Sequence, residues 1–285
     1  MNNITSYINE RLKLSNKNIQ KAFEPESLDD FDNYIEKQKS KSKTSNGLCG
    51  TKDEPVNLSN INFEKLYNNY NDEDILSFYF SNDDELGYVD ASYWDFSTIK
   101  QSYKLPYLFG DSSIIYINVS DWKFNHNFHN LSGFFRGCKN LKEIEGINNW
   151  DTQYIHKMSG MFCGCESLTS MDLSNWDTSN VIRARRIFDS CTSLKTVNLK
   201  GWKTKSMSSF EKMFCNCKNL TEIEGIEDFD VQGCSNFEDM FFGCKNLNIN
   251  IDNWQPSASF MPDFVDAFTG SNIKPIWYLK YINNN

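Results

Sequence analysis

No stretch of this 285-residue chain approaches about 18 consecutive apolar residues, so no transmembrane helix and no membrane insertion are expected. The opening MNNITSYINERLKLSNKN lacks a basic leader followed by an apolar run of signal length, and neither end carries a lipidation motif. Positive charge is in deficit: 29 Lys and Arg against 38 Asp and Glu give a formal charge of −9 and a pI near 5.0. That argues against nonspecific binding of nucleic acid or anionic membrane by the whole surface, while leaving room for a local basic patch. Histidine is scarce, with three residues, and no Ser or Cys stands in a recognisable nucleophile setting with one of them. There is no Gly-rich phosphate loop. No cofactor, no metal and no enzymatic activity are expected. Nine cysteines without an export signal suggest reduced thiols in a cytosol-like setting.

What the chain does have is self-similarity. Aromatic residues recur at Trp94, Trp122, Trp150, Trp176, Trp202, Phe229 and Trp254, at intervals of 28, 28, 26, 26, 27 and 25 residues. A second ladder runs Phe109, Phe135, Phe162, Phe188, Phe214, Phe241 and Phe268. Three residues after each of these stand Ser112, Cys138, Cys165, Cys191, Cys217, Cys244 and Ser271, and a fourth ladder is Leu141, Leu168, Leu194, Leu220 and Leu247. Ladders in constant phase at this period are the signature of a stacked solenoid.

Each unit has a physical reading. Leu168-x-x-Met171-x-Leu173 and Leu194-x-x-Val197-x-Leu199 suit a short strand with one buried face. Asp177-Thr178-Ser179-Asn180 is rich in capping and turn types. Val181, Ala184, Ile187 and Phe188 then fall at i, i+3, i+6 and i+7, as on one helical face. Ile155/Met158/Met161/Phe162 and Met207/Phe210/Met213/Phe214 repeat the spacing. The expected fold is an α/β leucine-rich-repeat solenoid of about seven strand-plus-short-helix coils, with a parallel sheet on one face and an α-helical N-terminal extension. At about 4.8 Å per coil the stack would span roughly 35 Å.

Outside the repeat, Ile4, Tyr7, Ile8, Leu12, Ile19 and Phe23 are spaced like a helical face; residues 24–36 are acidic, and KQKSKSKTSN (37–46) reads as a mobile linker or as an arm for an acidic partner. In the expected N-terminal cap, INFEKLYNNY reads as a short helix and ILSFYF as a strand. Trp277, Leu279 and Tyr281 alternate with Tyr278 and Lys280, as in a terminal strand. The expected divisions are 1–46 (extension and linker), 47–93 (cap), 94–273 (solenoid) and 274–285 (capping strand).

The stretch LTSMDLSNWDTSNV followed by FDSC resembles the BspA-like, treponemal-type leucine-rich repeats, also found in mycoplasma lipoproteins and gut bacterial surface proteins. The likeness covers about residues 94–271 and is best over 150–200. It implies an adhesion or protein-interaction module, with no catalytic residues to transfer. Two features depart from it: no signal or anchor is seen, and Arg183-Ala184-Arg185-Arg186 replaces the Met-containing pattern. The opening TSYINERLKL is similar to a short leader on virion proteins of crAss-like bacteriophages. That likeness implies a structural or accessory virion protein docked through residues 1–46. The expected location is accordingly cytoplasmic or virion-associated.

Cys163-x-Cys165 and Cys215-x-Cys217 have the form of zinc-binding pairs. They sit two coils apart, about 10 Å in the expected stack, and four sulfurs at about 2.3 Å from one ion cannot span that. The in-phase cysteines read instead as small residues at a buried corner. His129 and His156 hold equivalent positions in adjacent coils, with His126 three residues from His129, so a surface metal site is a second reading against plain surface imidazoles. Two surfaces could receive another protein. The strand face would expose Glu143/Glu145, Ser170/Asp172, Thr196/Asn198, Glu222/Glu224 and Asn248/Asn250 as a polar, mostly acidic strip. Arg183, Arg185, Arg186, Lys200, Lys203 and Lys205 cluster within one and a half coils and form a local basic reversal. The expected function is a non-enzymatic protein-binding scaffold, with a virion component or a cell-surface adhesin as alternatives.

Overall fold

The computed structural model describes residues 23–25, 27–45, 47–59, 61–62, 80–97, 103–104, 107–257 and 262–283. The helix expected over 1–23, the leader-like opening, and nearly all of the INFEKLYNNY and ILSFYF segments lie outside the described residues. What is described is a parallel β-solenoid with few helices.

Its strands are two or three residues long: β1 (Val56–Asn57), β2 (Tyr88–Asp90), β3 (Tyr103–Lys104), β4 (Tyr116–Asn118), β5 (Phe128–Asn130), β6 (Glu143–Glu145), β7 (Ser170–Asp172), β8 (Thr196–Asn198) and β9 (Glu222–Glu224). They pair in parallel as β1-β2-β4-β6, β7-β8-β9 and β3-β5. Val89, Ile117 and Ile144 are in register in the first sheet, and Met171, Val197 and Ile223 in the second. Each of these central residues turns inward and is buried, so the two flanking residues of a strand turn outward.

The expected single sheet is interrupted after β6, and the cause is one residue. The coils that carry β6 and β9 read Leu141-to-Trp150 and Leu220-to-Phe229, one residue longer than Leu168-to-Trp176 and Leu194-to-Trp202. The extra residue follows the strand as Gly146 or Gly225, both left-handed (φ 86° and 82°), and each leads into a 3₁₀ turn, Ile147–Asn149 or Ile226–Asp228. β6 and β9 are each the last strand of their sheet.

The short helix expected in each coil is not there. The segment is a run of tight turns, bonded in alternation. Met161, Cys163 and Cys165 donate their N–H groups back three residues, to the carbonyls of Met158, Gly160 and Phe162 (3.3, 3.1 and 3.0 Å). Met158, Gly160, Phe162 and Gly164 donate across to Arg183, Ile187 and their neighbours Arg185 and Asp189 in the following coil (3.0, 2.9, 2.9 and 2.7 Å, in the order of the carbonyls 183, 185, 187 and 189). Left-handed residues four apart keep the chain from closing into a helix: Gly160 and Gly164, then Arg186 and Ser190, then Lys212 and Asn216. A three-residue turn repeat and a 3.6-residue helix place apolar side chains almost identically over two turns, so the i, i+3, i+6, i+7 pattern suits both. Bonds between coils, which a helix would consume internally, decide in favour of the turns.

The ladders hold the stack together. The seven phenylalanines from Phe109 to Phe268 stack continuously, neighbouring centroids lying 5.4 to 5.9 Å apart. Trp94, Trp122, Trp150 and Trp176 form a second stack at 5.0, 5.0 and 6.1 Å. Each of these indoles also donates its N–H to a carbonyl of the coil before; Trp176 reaches Ile147 at 2.9 Å and Trp202 reaches Leu173 at 3.0 Å. The ladder thiols do the same: Cys138, Cys165, Cys191, Cys217 and Cys244 donate to phenylalanine carbonyls at 2.9 to 3.1 Å. Thr152, Thr178 and Thr204, also buried, reach the other way, donating to the Asp177, Lys203 and Asp230 carbonyls of the coil after at 3.0 to 3.1 Å. These residue types combine a small or flat apolar body with one donor, which a buried corner carbonyl requires.

Both ends of the described chain are helical. α1 (Leu28–Ser42) includes much of the run expected as a linker. Ser27 caps it by accepting from the Asp30 N–H, acidic Asp29 and Asp30 lie in its first turn, and basic Lys39 and Lys41 lie in its last. Phe31 and Ile35, four residues apart, are buried; the Phe31 ring meets Phe80, which in turn packs on Trp94 and Phe109. Lys39 reaches Asp83 at 3.0 Å and Glu85 at 3.4 Å. Composition alone reads 37–46 as solvated; Lys39 and Lys43 instead pair with carboxylates of the first coils.

At the other end, the stretch expected as a capping strand is α2 (Ile276–Asn283). Adjacent residues of a strand point to opposite sides. Trp277 and Tyr278 instead both pack on the last coil, against Phe264 (5.4 and 5.7 Å) and Phe268 (6.1 and 4.8 Å). Pro275 opens the helix, and the Ile276 N–H is taken up by Asp252 at 2.7 Å.

Candidate binding surfaces

The strand-bearing side carries two grooves. The first sheet aligns Tyr88, Tyr116 and Glu143 in one row and Asp90, Asn118 and Glu145 in the next. A groove of about 500 Å³ opens there, lined among others by Lys52, Asp53, Asp90, Tyr93, Asn118 and Glu145. The Tyr116 hydroxyl donates to the Glu145 carboxylate, and Lys52 approaches Glu143 at 3.3 Å. The second sheet aligns Ser170, Thr196 and Glu222, and beside them Asp172, Asn198 and Glu224. Its groove, about 240 Å³, is lined by these six side chains over Met171 and Val197.

The expected strip is therefore two patches. Ser170, Asp172, Thr196, Asn198, Glu222 and Glu224 are brought together, whereas Glu143 and Glu145 belong to the earlier sheet, beyond the break at Gly146. Asn248 and Asn250 are exposed but in no strand; the Asn250 side chain accepts from the Asp252 N–H at 2.8 Å. Asp172 and Asn198 accept from the N–H two residues on (3.0 and 3.2 Å), which fixes their carbonyl and carboxylate oxygens at the strand exits. Sequence reasoning missed Asp90, Tyr116 and Asn118. A signal was present: Tyr88 and Tyr116 precede Trp94 and Trp122 by six residues, as Ser170 and Thr196 precede Trp176 and Trp202.

The basic cluster is divided. Lys200 turns to the strand side, where it pairs with Glu224 at 3.0 Å, a bond that holds its ammonium above the ordinary lysine pKa. Arg183, Arg185 and Arg186 line a groove of about 340 Å³ on the turn-bearing side, together with Arg136 and Lys157; Lys203 and Lys205 are not part of its lining. Glu211 binds Arg186 through Nε and Nη2 (3.1 and 2.7 Å) and lies 3.6 Å from Arg185. Burial pushes the Glu211 carboxyl up, but the Arg186 hydrogen bonds and charge outweigh it and leave the group below the ordinary glutamate value.

The thiols are structural. Burial raises the pKa of Cys138 and Cys244 to about 12, and raises those of Cys165, Cys191 and Cys217 as well. All nine cysteines are free, and Cys163 alone among them is not buried. His129 and His156 meet edge to face at 4.8 Å, and His129 Nδ1 is 2.9 Å from the Tyr154 carbonyl oxygen. Among the described residues, no group of three or more His, Cys, Asp or Glu is placed to hold a metal ion, and no helix is long and apolar enough to cross a membrane. The carboxylates that follow the ladder aromatics make turn bonds: Asp177 accepts from the Ser179 N–H and hydroxyl at 3.0 and 2.7 Å, which lowers its pKa.

No curated protein and no solved structure matches the chain. A family described as "Mycoplasma protein of unknown function, DUF285" matches it over residues 103–223 and 129–254. These two overlapping matches take in most of the ladders and both strand-side patches from β4 onward, and together they cover more than half of the chain. The protein belongs to the DUF285 family of repeat proteins.

Proposed function

We propose that this protein is a non-enzymatic, protein-binding scaffold of about seven BspA-like leucine-rich-repeat coils, and that its partner docks on the strand-bearing side. The observation that carries this reading is the register of the two sheets. Outward side chains are held in rows by parallel pairing, over a core of stacked rings that gives them little freedom. Such rigid rows cost a partner little ordering entropy on binding. The two grooves are dominated by carboxylates and side-chain amides (Asp53, Asp90, Glu145, Asp172, Glu222, Glu224), so a partner segment rich in Lys or Arg suits them. The non-enzymatic part of the reading is supported by the thiols and hydroxyls of the ladders, which are committed to neighbouring carbonyls.

The test is capture of cross-linked partners by the full chain and by an Asp172→Lys, Glu222→Lys, Glu224→Lys variant, with identification by mass spectrometry. A partner held by the natural sequence and lost from the variant is the expected result. Retention of every partner by the variant overturns docking at the second sheet, and the same charge reversal at Asp90 and Glu145 then tests the first.

A further inference from the structure

The cationic groove on the turn side is built differently from the rest of that side. Its floor is made of the smallest side chains of the turn ladder, Ser132, Ser159 and Gly160. Gly160 is left-handed (φ 64°), and a Cβ there would meet only the Cys163 Cβ at 3.8 Å, so the space above it is open. The equivalent positions two and three coils on, Lys212 and Asp239, carry long or charged side chains, and they pair with each other at 3.1 Å.

Around that floor stand five cations in a protein of net charge −9. Two are braced. The Arg136 guanidinium lies over the Tyr107 ring, 5.9 Å from its centre, and Arg186 is clamped by Glu211 at 2.7 Å with Asp189 at 3.9 Å. Lys157 and Arg183 are aligned by a parallel backbone bridge between their coils. Among the described residues, Arg136, Lys157 and Arg183 have no carboxylate within salt-bridge distance, while Lys212 in the next coil has two, Glu238 and Asp239. The Ser159 hydroxyl at the floor is buried without a hydrogen-bond partner among the described residues.

We infer that this groove is an anion-binding site for a single phosphate or sulfate ester group, held by Arg136, Lys157 and Arg183 above the Ser159–Gly160 floor. Guanidinium groups donate in a planar fork that matches the oxygens of a tetrahedral oxyanion. The volume lies at the small end of ligand sites, which run from about 300 to 1,000 Å³. A long polyanion fits less well. Continuing along the coils it would meet Glu211, Glu238, Asp239, Asp263 and Asp266 on the same side of the chain. The site is separate from the strand-side patches and stands or falls without them.

The test is a titration of the full chain with inorganic phosphate and with inorganic sulfate, followed by backbone amide chemical shifts, with sodium acetate and sodium chloride at matched ionic strength as controls. Saturable shifts centred on residues 157–160 and 183–186, produced by phosphate or sulfate and not by acetate or chloride, are the expected result. Whichever of the two binds more tightly assigns the ester. Arg136→Ala with Arg183→Ala is expected to weaken binding roughly tenfold or more, while Lys203→Ala with Lys205→Ala leaves it unchanged. All substituted side chains are exposed or paired to nothing in the core, and unaltered amide spectra outside the groove verify the fold. Shifts of equal size with chloride or acetate, no saturation with either oxyanion, or affinity unchanged in the Arg136→Ala, Arg183→Ala variant would each overturn the proposal.

Discussion

Cys165 and Cys163 are two residues apart and have opposite chemistry. Cys165 is fully buried, donates to the Phe135 carbonyl at 3.1 Å, and has a thiol pKa well above the ordinary value. Cys163 is partly exposed, and although burial raises its pKa, Arg136 and Arg186 oppose the shift. Since the thiolate is the reactive form, a thiol reagent applied to the native protein is expected to modify Cys163 first and the five ladder cysteines only on unfolding. Peptide mapping after timed labelling checks this order. The ladder tryptophans invite a similar experiment. Trp176→Phe keeps a ring in the stack, as Phe229 does naturally, but removes the donor to the Ile147 carbonyl. The Ile147 carbonyl keeps its bond from the Trp150 N–H, so a loss of about 0.5–1.5 kcal/mol, the net worth of one hydrogen bond, is expected from urea unfolding.

Within a coil, the element that sets sheet continuity is the glycine after the strand. A Cβ at Gly225 would lie 2.7 Å from the backbone of Lys200, and one at Gly146 within 2.3–2.7 Å of Ser120. Gly225→Ala combines a left-handed backbone with a clash against an immovable neighbour, so a destabilisation of at least about 1–2 kcal/mol is expected by urea unfolding. Gly201→Ala is the matched control: it is equally left-handed (φ 81°), but its Cβ would meet only the Ser174 carbonyl oxygen at 3.6 Å, so it should cost less. Much of the element level was readable beforehand: the inward Met171, Val197 and Ile223 and the outward Asp172, Asn198 and Glu224 follow from counting three and four residues on from the ladder leucines Leu168, Leu194 and Leu220. The turn segments were not. Arg186, Ser190, Lys212 and Asn216 adopt positive φ without being glycine, and Asn216 alone is of a type enriched there. Their conformation is stabilised by bonds to the adjacent coil, such as Arg186 N–H to the Glu211 carbonyl at 2.8 Å, which no local pattern reveals.

Across the whole molecule, stability should fall in acid through a small set of carboxylates. Glu211 and Asp177 have lowered pKa values in the folded chain, Glu211 because Arg186 overcomes its burial and Asp177 through its bonds to Ser179. A depressed folded value means a contribution fully present above the unfolded range of about 3.9–4.3 and lost as pH falls through the folded value. Asp189 works the other way: burial raises its pKa, so its protonation between the unfolded and folded values favours the fold. The urea midpoint is expected to drop between neutral pH and about pH 3, and less so in Glu211→Gln, which has already lost that group's contribution.

The period of the ladders was set down in the sequence alone. Trp, Phe, Cys and Leu recurring every 25 to 28 residues have only one economical arrangement, in which like stacks on like, and the stacked phenylalanines at 5.4 to 5.9 Å are that arrangement. Three things were decided only by the tertiary structure. Coil-to-coil hydrogen bonds chose turns over helices, because a backbone N–H can serve only one of the two. One extra residue before Trp150 divided the strand face into two patches. Contacts with neighbouring coils divided the basic run, drawing Lys200 to Glu224 and joining Arg183 to Arg136, 47 residues earlier in the chain, around a shared groove. Each of these depends on which residue lies one or two coils away, and that distance in sequence is what a local pattern cannot carry.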